Sequence, residues 1–358
     1  MLYTTFHLIA IISIFVLLIE FTVSLSTPNN RVGSLTGKRI VTLSDQLAPN
    51  SIKRRSFLVT TAAGVIGVSI RPSPVRGDNT IVKSSINPKK SICVIGANGK
   101  TGSECVGFCN KNKLDVIATS RSGMYTGVYT PTIQSVCDVT VPSTIQSVVR
   151  GCRVVIFAAS ASKSGGTPSA VDNAGLVNVA KICIDEQVPH LVIISSGGVS
   201  KPDSPVYKFL NIFGRIMEEK IKGENTVRAL YASSATSGSD TRSSCTYTIV
   251  RPGGLTEEME KGVGSLELNQ GDTKSGRISR ADVASLCIEA TNFPQMTGGT
   301  TFECYDANTA KTLGSVGVSN ILKKTNTDQD SVLMSGKERR GTTFSNIFTG
   351  LERDSTNV

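Results

Sequence analysis

Apolar residues in the middle of this chain gather into short continuous runs separated by stretches of helical spacing. Ile92, Val94 and Ile95 form one such run, which ends on Gly96 and gives way to a helical pattern from Lys100. A run of this length with polar flanks suits a parallel strand buried on both faces. Further strands are expected at LDVIATS (114–120), SVCDVT (135–140), RVVIFAAS (153–160) and HLVIISS (190–196), with a helix from Ala170 to Glu186 between the last two. GRIMEEKIKGEN (214–225) reads as an amphipathic helix. Strands alternating with helices at this spacing predict an α/β protein with a doubly wound parallel sheet, in a single domain over 88–305. Beyond Cys304 the pattern fails, and 306–358 is expected to be a flexible, disordered tail with one short apolar set at Phe344, Ile347, Phe348 and Leu351.

The turn after the first strand carries the most chemistry. In SICVIGANGKTGSECVGFCNKN (91–112), Gly96 permits a tight turn and Gly99 lets backbone approach a pyrophosphate. Gly102 lets the following helix pack on the sheet, and its N-terminal amides face the phosphates. Asn98, Lys100 and Thr101 complete this cradle. A glycine triplet alone is weak evidence, but the strand before, the helix after and the second strand at the expected distance make this a Rossmann-type dinucleotide site. NAD sites usually end the second strand on a carboxylate, whereas this one reads Thr119, Ser120, Arg121, Ser122. A guanidinium there suits a 2′-phosphate, with the hydroxyls as further donors, so NADP is expected over NAD. Asp138 and Val139 are placed to meet the adenine, and the small residues Ala158 and Ala159 leave room for the dinucleotide.

Charge changes the picture only when it is divided by region. The chain of 358 residues carries a net charge of +10, but eight basic residues against two acidic ones precede Asp78. The remainder holds an excess of only four positive charges, which does not argue for a nucleic-acid partner. Nine cysteines with no CxxC pair signal neither a disulfide framework nor a zinc site. Cys105 and Cys109 share a helix face and are expected in the core.

The first 77 residues read as an address. Residues 1–26 resemble a cleaved signal peptide, 27–52 a transit-peptide segment, and 53–77, with Arg54 and Arg55 before an apolar small-residue run, a twin-arginine signal. That order is expected of a plastid protein in an alga with a complex plastid. Both the thylakoid lumen and the stroma stay open, and the mature protein is not expected to span a membrane.

GANGKTG, DVT, the strand ending in Ser195 and Ser196, KIKGE around Lys220, and TYTIVRPGGL together resemble the atypical short-chain dehydrogenase/reductases, the branch with NmrA-like and Tic62-like NAD(P)-binding domains. The resemblance covers roughly 90–305 and implies that Pro252 and Gly253 lie beside the cofactor. In active members of this family a tyrosine passes a proton, a lysine four residues later holds the nicotinamide ribose, and a serine orients the substrate. The match implies Lys220 as the lysine and Ser195 or Ser196 as the serine, and it puts Ile216 where the tyrosine should be. Tyr207 has Asn211, not lysine, four positions on. Two readings follow: an NADPH-dependent oxidoreductase without the usual tyrosine, or a non-catalytic NADP-binding redox sensor or assembly factor with a thylakoid protein partner. His190 is expected to be structural.

Overall fold

The structure is a computed structural model and describes residues 91–162, 165–212, 214–236, 245–313 and 337–355, all within the unit Asp78–Val358. The targeting segments expected in 1–77 lie outside the described residues.

Eight strands form one sheet in the order β3-β2-β1-β4-β5-β6-β11-β8. These are β1 (Ile92–Ile95), β2 (Val116–Ser120), β3 (Ile133–Val136), β4 (Val154–Phe157), β5 (His190–Ile194), β6 (Thr246–Pro252), β8 (Leu266–Asn269) and β11 (Thr300–Asp306). All neighbours run parallel except β8, which pairs antiparallel with β11. The expected doubly wound sheet is therefore present. Its central strands are the continuous apolar runs: every residue of β1, β4 and β5 is buried. Side chains alternate between two cores, Ile92 and Val94 on one face, Cys93 and Ile95 on the other. Each large aliphatic so buried contributes about 1.5–3 kcal/mol.

The first face is covered by α1 (Lys100–Lys111) and α6 (Arg280–Ala290), which pack on each other. The second is covered by α2 (Pro142–Val149), α3 (Leu176–Asp185) and the long α5 (Ile216–Thr236), while the short α4 (Pro205–Asn211) packs on α5. Pro142 sits in the first turn of α2 and Pro205 in that of α4, where a missing N–H is harmless. Ser279 caps α6 by accepting from the amide of Asp282. Two small ribbons complete the order: β7 (Gly254–Thr256) beside β10 (Arg277–Ser279), and β9 (Lys274–Ser275) beside β12 (Lys311–Thr312). Among the described residues no helix is long and apolar enough to cross a membrane.

Two expectations need adjusting. The third strand occupies Ile133–Val136 and not 135–140, because the carboxylate of Asp138 accepts from the amide (2.9 Å) and the hydroxyl (2.7 Å) of Thr140 and turns the chain. Part of the expected tail is also built into the domain. Residues 337–355 return to it: Arg339 pairs with Leu268 and Arg353 with Thr300. The helix α7 (Phe344–Phe348) then buries Ile347 and Phe348 completely against Phe302 and Phe293. Residues 314–336 lie outside the described residues.

Candidate functional site

The glycine turn joins β1 to α1 at the carboxyl edge of the sheet. Gly96 has φ +84°, and a Cβ there would stand 2.8 Å from the backbone of Ala159, beyond the end of β4. The Gly99 amide donates to the Gly96 carbonyl (2.9 Å), and Gly99 then starts the helix with no side-chain cap and no acidic residue in the first turn. A Cβ on Gly102 would lie 2.3 Å from the Gly96 carbonyl oxygen, so helix and turn touch through bare backbone. The result is a cradle of uncapped amides with the helix dipole behind it, lined by Gly96, Gly99, Thr101, Ala158 and Ala159. Its chemistry fits a pyrophosphate. Lys100 is bridged to Glu257, but both side chains are about two-thirds exposed, a pairing that contributes little and leaves the ammonium able to turn toward an anion.

Beyond the end of β2, Asn98 acts as a clamp. Its amide nitrogen donates to the Met124 carbonyl (2.8 Å) and its oxygen accepts from the Thr126 amide (2.9 Å), which fixes the loop after β2. Arg121 is exposed just past the end of β2, with no carboxylate on the strand end itself. Thr119 departs from expectation: it is fully buried and its hydroxyl donates to the Val94 carbonyl (3.0 Å), so it cannot serve a phosphate. Ser120 holds the Met124 carbonyl instead (2.9 Å). Asp138 is kept below the usual carboxylate range by its bonds from Thr140, with a smaller contribution from Arg121. Val139 is buried beneath Gly175, where a Cβ would collide with it, so it supports this wall from inside the core.

The other end of the path holds a group that sequence reasoning missed. Asp172 lies in a π-helical turn, Ser169–Gly175, and is buried. It accepts from the Ser160 hydroxyl (2.7 Å), the Ala161 amide (2.9 Å) and the Lys220 ammonium (2.7 Å). π-Turns are rare and recur at functional sites. Gly223 permits the contact, since a Cβ there would lie 2.6 Å from the Asp172 carbonyl oxygen. The aspartate was hidden because it sits in an apolar helical pattern 48 positions before its lysine, with no spacing rule to connect them. Ile216 opens α5 one turn before Lys220. Tyr207 does not face the lysine: its neighbours are Glu218, Arg215 and Lys222, and Glu218 and Lys222 lie on the opposite side of α5.

Ser195 and Ser196 part company. Ser196 is half-buried and donates to the Gly197 carbonyl at 3.2 Å. Ser195 donates to Glu224, a fully buried carboxylate that also receives Arg251 (2.6 Å) and Arg228 (2.9 Å). Burial alone would push Glu224 up, but Arg251 and Arg228 outweigh it and hold its pKa low. Glu303 shares Arg251 (3.2 Å) and faces Asp272 as well; burial and that second carboxylate raise it to about 7. Pro252 and Gly253 follow Arg251. The Pro252 carbonyl accepts from Gly197, while a Cβ on Gly253 would meet the Gly276 carbonyl oxygen at 2.3 Å, so packing accounts for that glycine.

A raised carboxylate has a definite signature. The folded state holds the Glu303 proton up to pH about 7, whereas an unfolded glutamate releases it near 4.5, so folding stability should decline as pH rises through that window. Glu303→Gln should flatten the decline by on the order of 1–3 kcal/mol, read from urea denaturation at pH 5 and pH 7.5. An unchanged slope would refute the assignment.

His190 is structural, as expected. It is buried, bonded to Thr248 (2.8 Å), and burial lowers it to about 4. Among the described residues no cluster of histidine, cysteine or carboxylate could hold a metal.

The sequence model of the NAD(P)H-binding family matches residues 96–294. An uncharacterized chloroplastic protein of Arabidopsis thaliana is 29% identical over 218 residues, which cover 56% of this chain and 71% of that protein. Among solved structures, the oxidoreductase ylbE of Lactococcus lactis is 19% identical, with 62% of this chain and 92% of that one covered at a TM-score of 0.48. A short-chain dehydrogenase/reductase of Veillonella parvula in complex with NADP is 16% identical, with 62% and 96% covered at a TM-score of 0.45. With its glycine turn inside the matched span, this chain belongs to the NAD(P)H-binding family.

Proposed function

We propose that this protein is an NADPH-dependent oxidoreductase that works without the family's tyrosine. The observation that carries the cofactor choice is Arg121 at the end of β2, where a carboxylate would have repelled a 2′-phosphate. When bound, the cofactor supplies a hydride, and the protein has only to position it and manage a proton. Gly96, Gly99 and the first-turn amides of α1 would hold the pyrophosphate. Lys220, fixed by Asp172 and only 12% exposed, would hold the ribose beyond Ala158 and Ala159. Ile216 has no proton to give, and the Ser195 proton is engaged by Glu224. Ser196, loosely held by one long bond, is the hydroxyl free to turn toward a substrate oxygen.

Titration with NADPH and NADH tests this reading. NADPH should bind at least about tenfold more tightly, a difference of about 1.4 kcal/mol. Arg121→Glu should erase the preference while leaving NADH binding unchanged. Equal affinities in the wild type would overturn it. Turnover is tested separately by NADPH consumption with quinones, flavins and carbonyl compounds.

Ile216 at the tyrosine position favours a second reading, a non-catalytic NADP sensor or assembly factor. NADPH binding with no turnover, and a thylakoid protein recovered by crosslinking, would select it. The chloroplastic relative supports a plastid location. Mass spectrometry of the mature N-terminus would distinguish lumen from stroma.

A further inference from the structure

At the amino edge of the sheet, opposite the glycine turn, a cavity of about 460 Å³ opens between the last turns of α5, the start of β6, the turn before β11 and residues 353–355. Its size is that of a small-molecule site. One wall is apolar: Tyr231 and Tyr247, ring centroids 5.1 Å apart in an edge-to-face pair, with Ala232, Ala235 and Pro294. Two polar features in it are unfinished. Tyr231 is 5% exposed, and its hydroxyl is buried with no hydrogen-bond partner among the described residues. A buried hydroxyl left so is costly, and an acceptor that reached it would recover that cost. Arg353 stands exposed at the rim, and its guanidinium makes no ion pair among the described residues. Its backbone is pinned by the bridge to Thr300, and the next amide donates to the Gly299 carbonyl (2.7 Å).

The remaining charges are already matched. Asp354 Oδ2 accepts from Arg228 (3.1 Å), Tyr247 (2.9 Å) and Thr301 (2.7 Å). Arg228 also serves Glu224 and Asn225. The lining charges are therefore two guanidinium groups against one carboxylate, a net positive balance over an apolar wall.

We propose that this cavity is a second ligand site, for a small apolar carboxylate whose anionic end meets Arg353 and whose oxygen accepts the proton of Tyr231. The strands that carry the glycine turn and this cavity run parallel, which puts the two sites at opposite edges of the sheet, so the ligand does not compete with the dinucleotide. The site goes beyond the oxidoreductase reading and does not depend on it.

The test is a calorimetric titration of the protein with 2-naphthoate, a flat apolar carboxylate. Saturable one-site binding is expected, unchanged by saturating NADPH. Arg353→Glu should weaken it at least about tenfold and Tyr231→Phe severalfold, with circular dichroism confirming that both variants fold. No saturable binding would overturn the proposal, as would displacement by NADPH or wild-type affinity in both variants.

Discussion

Arg251→Met is expected to remove about 3–5 kcal/mol of stability, the cost of breaking a buried ion pair from one side. Arg251 is nearly enclosed and bonds two buried carboxylates, Glu224 and Glu303, with Asp272 close by. Methionine replaces the apolar stem but not the guanidinium, and leaves Glu303 facing Asp272 without their shared cation. Glu224 keeps Arg228 and Ser195, so the damage should concentrate at Glu303. Acid should therefore relieve part of the loss, because protonating Glu303 removes the uncompensated charge. Arg251→Lys should recover only some of it, since an ammonium cannot present a planar fork to two partners. Urea denaturation at pH 5 and pH 7.5 checks both points, and a loss under 1 kcal/mol at pH 7.5 would show that the cluster does not hold the sheet together.

Gly102→Val should abolish dinucleotide binding while the domain still folds. Even a Cβ at this position would lie 2.3 Å from a backbone oxygen, which no rotamer can relieve, so α1 must move off the turn. Displacing the helix also moves the amides that face the phosphates. An overpacking strain of about 1–3 kcal/mol is within the domain's reach. Binding should fall by at least about a hundredfold in an NADPH fluorescence titration. A variant that melts near the wild type and binds normally would mean the phosphates do not rest on this helix.

These two sites differ in how far the chain reveals them. The glycine turn is legible because its parts are adjacent: an apolar run, three glycines and a helical pattern within 20 residues. The sheet is legible for the same reason. Arg251 is visible within TYTIVRPGGL, yet nothing local shows that its side chain is buried, since Glu224 precedes it by 27 positions and Glu303 follows it by 52. The pairing of Asp172 with Lys220 is hidden in the same way. Phe348 was visible as apolar but not as core, because Phe302 and Phe293, the rings it meets, lie 46 and 55 residues away. Thr119 shows the converse: a hydroxyl at the right place in the sequence, turned inward to satisfy the carbonyl of Val94.

All nine cysteines are reduced, and eight are buried in the two cores. Burial lifts Cys105, Cys183 and Cys287 far above a reactive thiol, so an alkylating reagent meets them only when the chain opens. The protein thus carries its own stopwatch. Once the part-exposed Cys245 has reacted, the pace of further thiol labelling in native buffer counts excursions from the folded state, and any compound that seats in either edge of the sheet should slow it.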